Sequence, residues 1–127
     1  MPVRLEVFHP DRIALAIVSG DVTLQEFRDF VIELVKGGLL HYRKIFDTTQ
    51  ASSAVIGNEE LVTMDKLLAS AASTKGRGPL AIVADRDRGE LAMAFKALAS
   101  TDRPVEVFSS LYEARRWVMA QPTRDGV

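Results

Sequence analysis

The stretch "RIALAIVSGDVTLQEF", residues 12–27, decides the fold. Its first half is an aliphatic run of strand length, Ile13 to Val18. Its second half opens a helix, because Thr23 and Glu26 are spaced as a capping box in which each side chain satisfies the other residue's free N–H. Leu24, Phe27, Phe30, Val31 and Leu34 then recur at the helical period and form one apolar stripe. Gly37 and Gly38 stop the helix, since glycine takes the left-handed C-terminal position without steric cost.

Working outward toward the N-terminus, Val3, Leu5 and Val7 alternate with Arg4 and Glu6, the period of a half-exposed strand. "HPD" at 9–11 is turn chemistry, so this strand and Ile13 to Val18 form an antiparallel hairpin. Toward the C-terminus a third strand is expected from His41 to Phe46. A second helix follows from Asn58 to Ser73, with Leu61, Met64, Leu67, Leu68 and Ala71 inward and "TKGRG" at its end. "PLAIVA", 79–84, is a short apolar strand. Asp87 and Glu90 form a second capping box that opens a helix to Ala99, with Leu91, Phe95 and Leu98 inside. Pro104 leads into the strand "VEVF". Ser110 and Glu113 form a third box, opening a last helix with Leu111, Ala114, Trp117 and Val118 inward. Residues 121–127 are expected to fray.

The order is β-β-α-β-α-β-α-β-α. Strand–helix–strand crossovers imply parallel pairing with right-handed connections. The expected fold is therefore α/β: a mixed five-stranded sheet, antiparallel only at its first strand, with four helices mainly on one face. In the second strand Ile13, Leu15 and Ile17 oppose Ala14, Ala16 and Val18. In the fourth, Leu80 and Ile82 oppose Ala81 and Val83. This reads as one bulky face that gathers the helices and one small-residue face left poorly covered. A homodimer through the small-residue face is the expectation that follows.

The chain has 127 residues, which suits a single domain spanning 1–127. It has no cysteine, so disulfides and thiolate metal sites are excluded. Sixteen basic and 17 acidic residues leave a net charge of −1, which gives no general attraction to nucleic acid or anionic lipid. No apolar run approaches the length of a membrane span or a signal peptide, and a cytoplasmic location is expected.

The candidate site is "KIFDTTQASSAV", residues 44–55, where hydroxyl and amide side chains crowd behind Asp47. Asp47, Thr48, Thr49, Ser52 and Ser53 are the residues of interest, as a self-satisfying polar turn, a docking or phosphorylation surface, or a catalytic group. Chemistry has little else to work with. "GRGPLA", 76–81, enters a strand instead of leaving one for a helix, so it is no phosphate loop. His9 and His41 lack companions at metal-ligand spacing. No G-x-S-x-G elbow occurs. A receiver-type phosphoaspartate would need an acidic pair near Asp21 and a lysine where Ser109 and Ser110 stand. No cofactor, metal or catalytic residue is assigned.

The hairpin, "HYRKIFDTT" on the third strand, "GPLAIVA" on the fourth and "VEVFSSLYEARRWV" at the end resemble the SpoIIAA-like branch of the STAS domains, over about residues 3–119. STAS names the domain shared by sulphate transporters and anti-sigma-factor antagonists. The resemblance implies a sheet whose strand order follows the chain, with helices mainly on one side, and it implies regulatory binding in place of catalysis. In the antagonists a serine just after the third strand is phosphorylated by a partner kinase, which breaks the complex. The corresponding neighbourhood here is Thr48, Thr49, Ser52 and Ser53, and where the antagonists read Asp-Ser-Ser-Gly this chain reads Asp47-Thr48-Thr49-Gln50.

Three functions compete at this stage. One is a non-catalytic regulatory or scaffold domain that binds a protein partner through the loop after the third strand. Another is a carrier of a small apolar ligand or lipid, with Phe27, Phe30 and Phe95 on the helix stripes. Last comes a hydrolase-type enzyme using Asp47.

Overall fold

The computed structural model of the chain describes residues 3–51, 58–71, 76–85, 89–99 and 102–122. Its elements are β1 Val3–Phe8, β2 Ile13–Gly20, α1 Leu24–Lys36, β3 Arg43–Ala51, α2 Asn58–Ala71, β4 Leu80–Val83, α3 Gly89–Leu98, β5 Val105–Phe108 and α4 Leu111–Ala120. They build one five-stranded sheet in the order β1-β2-β3-β4-β5. β1 runs antiparallel to β2, and every later pair is parallel.

Local chemistry fixes the element ends as the sequence implies. Thr23 Oγ1 accepts from the Glu26 N–H at 3.1 Å, and Glu26 Oε1 accepts from the Thr23 N–H at 3.0 Å. Ser110 Oγ accepts from the Glu113 N–H at 3.1 Å and starts α4. Gly37 caps α1 in a right-handed conformation, and Gly38 takes the left-handed step at φ +68°. Asp87 of the second capping box and the tail 123–127 lie outside the described residues.

The two faces of the sheet differ from the sequence expectation. Ala14, Ala16 and Val18 of β2 pack under Phe30 and Leu34 of α1. Ile82 of β4, on the same face, packs with Ala92 and Phe95 of α3. The opposite face carries Ile13, Leu15, Ile45, Ala81 and Val83, and α4 covers it with Ala114 and Val118. Strand register explains the difference: Ala16 pairs with Phe46, and Phe46 pairs with Ile82, so the small side of β2 continues into the bulky side of β4. No single face is bulky throughout. Three helices gather over the small side of β2, which is therefore buried and is not the surface for a homodimer that the sequence suggested.

Three positions read as inward are exposed: Leu67 (65 %), Leu98 (59 %) and Leu111 (40 %). No helix among the described residues is long and apolar enough to cross a membrane.

Candidate functional site

β3 is longer than the sequence suggested. It runs through Asp47, Thr48, Thr49 and Gln50 to Ala51, so the polar cluster begins as strand and not as loop. Ile17 pairs with Asp47 but Ser19 pairs with Gln50, so β3 spends three steps where β2 spends two. This is a bulge, and Asp47 builds it. Its Oδ1 accepts from the Thr49 N–H at 2.9 Å and from Thr49 Oγ1 at 2.7 Å. That is the local two-residue bond expected of an Asx-turn, placed inside a ladder. Asp47 is buried, and Thr49 and Gln50 are exposed. Thr48 turns the other way, and its hydroxyl donates to Val83 O at 2.8 Å. Strand alternation separates the candidates: Asp47 follows Ile45 onto the α4 face, and Thr48 follows Phe46 onto the other. Ser52 and Ser53 lie outside the described residues. His9 Nδ1 is 2.8 Å from the Tyr42 hydroxyl. His41 stands edge-on to the Tyr42 ring at 5.0 Å.

On the Thr48 side lies a cavity of about 180 Å³. Ala14 and Ala16 of β2, Phe46 of β3 and Ile82 of β4 form its floor. Phe27 and Phe30 of α1 stand on one side, Met64 and Leu68 of α2 roof it, and Ala92 and Phe95 of α3 close the other side. The volume has a sequence cause. Four alanines, Ala14, Ala16, Ala84 and Ala92, line it where larger side chains would fill it. α2 contributes too, because it packs chiefly on α3 and not on the strands. Phe46 meets Phe27 edge-on at 5.8 Å and stacks with Phe30 at 6.1 Å, which gives a rigid aromatic wall. Nearly all of the lining is carbon.

One end of the cavity is bounded by Lys44, Asp65, Arg77 and Arg103, all buried. Asp65 Oδ1 accepts from Arg77 Nη1 at 2.7 Å and from Arg103 Nη2 at 2.6 Å. Arg77, only 1 % exposed, also grips the partly exposed Asp102, Nε to Oδ2 at 2.8 Å and Nη2 to Oδ1 at 2.6 Å. Lys44 Nζ uses its three N–H groups on three carbonyls, Leu40 O at 2.6 Å, Tyr42 O at 2.9 Å and Gly78 O at 3.2 Å. The backbone approach that assembles those carbonyls needs glycine at 78. A Cβ there would collide with Tyr42 O and come within 2.6 Å of His41 O.

The charges perturb one another. Burial, and then the Arg103 and Arg77 guanidiniums, hold the Lys44 ammonium well below the usual lysine pKa, against a smaller pull from Asp102. Burial also lowers Arg77, but its hydrogen bonds to Asp102 and Asp65 prevail and raise it. Arg103 is lowered, by burial first and the Arg77 charge second, with Asp65 and Asp102 opposing. The hydrogen bond from Arg77 lowers the Asp102 carboxyl, with burial opposing. Unpaired, the buried charges of Lys44, Asp65, Arg77 and Arg103 would be costly, and with Asp102 they bind the approaches of β3, α2, β4 and β5.

Neither the cavity nor this cluster was read from the sequence, yet signals exist for the cluster. Lys44 shares its strand phase with Phe46 in the middle strand of the sheet, where both faces are covered. Asp65 falls between Leu61 and Leu68 on the helical period, inside the apolar stripe. Arg77 sits in "TKGRG", which reads first as a helix stop.

No protein-family model matches the chain, and no curated protein matches it. Among solved structures, it is similar to an uncharacterized protein from the DUF3478 family with a SpoIIAA-like fold, from Shewanella loihica PV-4. The two share 14 % identity over 91 % of each chain, with a TM-score of 0.58. At that identity the likeness speaks for architecture, and together with the strand order and helix placement it shows that this chain has a SpoIIAA-like α/β fold.

Proposed function

We propose that this domain is a carrier: it holds a small apolar molecule, or the apolar end of a lipid, under α2 and does not transform it. The observation that carries this reading is the cavity of about 180 Å³ between the sheet and α1, α2 and α3. It is larger than the roughly 150 Å³ apolar hole that suffices to admit benzene. A void of that size forfeits dispersion contacts, and a ligand restores them. The lining favours recognition by shape, since at its end Asp65 is engaged by Arg77 and Arg103, and Lys44 by backbone carbonyls. Asp47, the group an acid–base mechanism would use, is buried and occupied by Thr49.

The test is saturable binding of 1-octanol, measured by calorimetry, together with native mass spectrometry of freshly purified protein. Ala16→Leu, which fills the floor, is expected to weaken binding about tenfold or more while the fold persists. Absence of saturable binding and of any co-purified ligand would reject the reading.

A second reading, docking of a protein partner at the end of β3, is favoured by the exposure of Thr49. It predicts that a partner retained by the wild type is lost on Thr49→Arg with 1-octanol binding unchanged.

A further inference from the structure

β1 is an outer strand. β2 takes one of its edges, and among the described residues no backbone group beyond β2 bonds it. A six-residue edge presents a row of N–H and C=O groups that can receive another strand. Its sequence, "VRLEVF", is symmetric in character about Leu5. Arg4 and Glu6 flank Leu5 on one face of the strand, 3.5 Å apart and 66 % and 40 % exposed. Val3 and Val7 flank it on the other.

Consider two copies of β1 laid antiparallel about a twofold axis through Leu5. Arg4 of each copy then stands opposite Glu6 of the other, twice over, and Val3 stands opposite Val7. Moving the axis to Arg4 or to Glu6 sets like charges against each other, which is destabilising in directly opposed positions. Moving it to Val3 or Val7 discards half of the overlap. The charge pattern therefore selects one register. α1 packs on β1, and it carries two half-exposed aliphatic residues one turn apart, Ile32 and Val35. The same axis brings α1 and its copy onto one side of the joined sheet.

We propose that two copies of this chain associate edge to edge through β1, with Leu5 on the twofold axis and reciprocal Arg4–Glu6 pairs, joining two five-stranded sheets into one. Leu5 also lines the cavity, but Arg4 and Glu6, which the test changes, lie on the other face of β1, so the proposal stands or falls independently of the carrier reading.

Sedimentation of the full chain at micromolar concentrations tests it. Wild type is expected to be a dimer. Arg4→Glu and Glu6→Arg singly are each expected to weaken dimerisation about tenfold or more, and the double reversal is expected to restore it, because the swapped charges pair again. The chain has no cysteine, so Arg4→Cys protein mixed with Glu6→Cys protein should cross-link on oxidation in preference to either alone. A wild type that stays monomeric, single reversals without effect, a double reversal that fails to restore, or cross-linking without that preference would each overturn the proposal.

Discussion

Replacing Asp65 by asparagine changes no more than one oxygen to a nitrogen, yet it removes the anion on which two buried guanidiniums converge. Arg77 and Arg103 reach the same Oδ1 at 2.7 and 2.6 Å, and all three side chains are buried. An asparagine carbonyl can still accept a hydrogen bond, but two cations then face each other without the carboxylate. Breaking a buried pair by removing one partner costs about 3–5 kcal/mol. For a chain of this length one kcal/mol corresponds to roughly 3–5 °C in Tm, so Asp65→Asn is expected to lower Tm by roughly 9–25 °C. Thermal melts followed by circular dichroism at neutral pH measure this. The internal control is Glu106→Gln, which breaks the half-exposed Lys96–Glu106 pair at 2.7 Å and is expected to cost under about 1 kcal/mol. If Asp65→Asn melts within about 3 °C of wild type, or no lower than Glu106→Gln, the cluster does not bind the fold together as argued.

Three further outcomes follow from the same network. The folded-state pKa of Lys44 lies below the unfolded value near 10.5, so between those two values the unfolded chain binds a proton that the folded chain lacks. Stability should therefore rise with pH across that window, and the difference in urea midpoint between wild type and Lys44→Met, measured at several alkaline pH values, should reveal the slope. Asp102 has the same sense in the acid range, because its folded pKa is lowered too: its contribution is fully present above about 3.8 and fades as pH falls through its lowered folded value, so Asp102→Asn should flatten the acid limb of the Tm profile. Gly78→Ala drives a methyl into the Tyr42 carbonyl and is expected to cost about 3 kcal/mol or more by urea denaturation; an unchanged midpoint would mean that the backbone there yields easily.

The fold was legible because its signals are local and repeated. Capping at Thr23 and Ser110, the Gly37-Gly38 stop and period-two alternation in β1 each act over a few residues. Topology then follows from connection length and handedness. The distribution of helices between the faces was harder, since it depends on register: whether Ala16 sits beside Phe46 and Phe46 beside Ile82 is a non-local fact. The site was least legible. Thr48 and Asp47 are neighbours in sequence, yet the strand sends them to opposite faces, so reading them as one polar cluster merged two environments. The cavity arises from alanines on β2, after β4 and on α3, none of which signals a void until the three are superposed. Asp65, Arg77 and Arg103 come from three segments; Asp65 alone carries a burial signal, from its place in the apolar stripe of α2, and nothing local in the sequence joins the three.

The layer opposite the cavity has a bearing on biosynthesis. Among the described residues α4 supplies the helical cover over Ile13, Leu15, Ile45, Ala81 and Val83, and its Ala114 and Val118 are fully enclosed. A nascent chain shorter than about residue 118 would therefore hold up a bare aliphatic wall, sticky toward other emerging polypeptides. Such a polypeptide has to wait for α4 to clear the ribosome, and stalled products or products truncated before it should be the ones that chaperones retain.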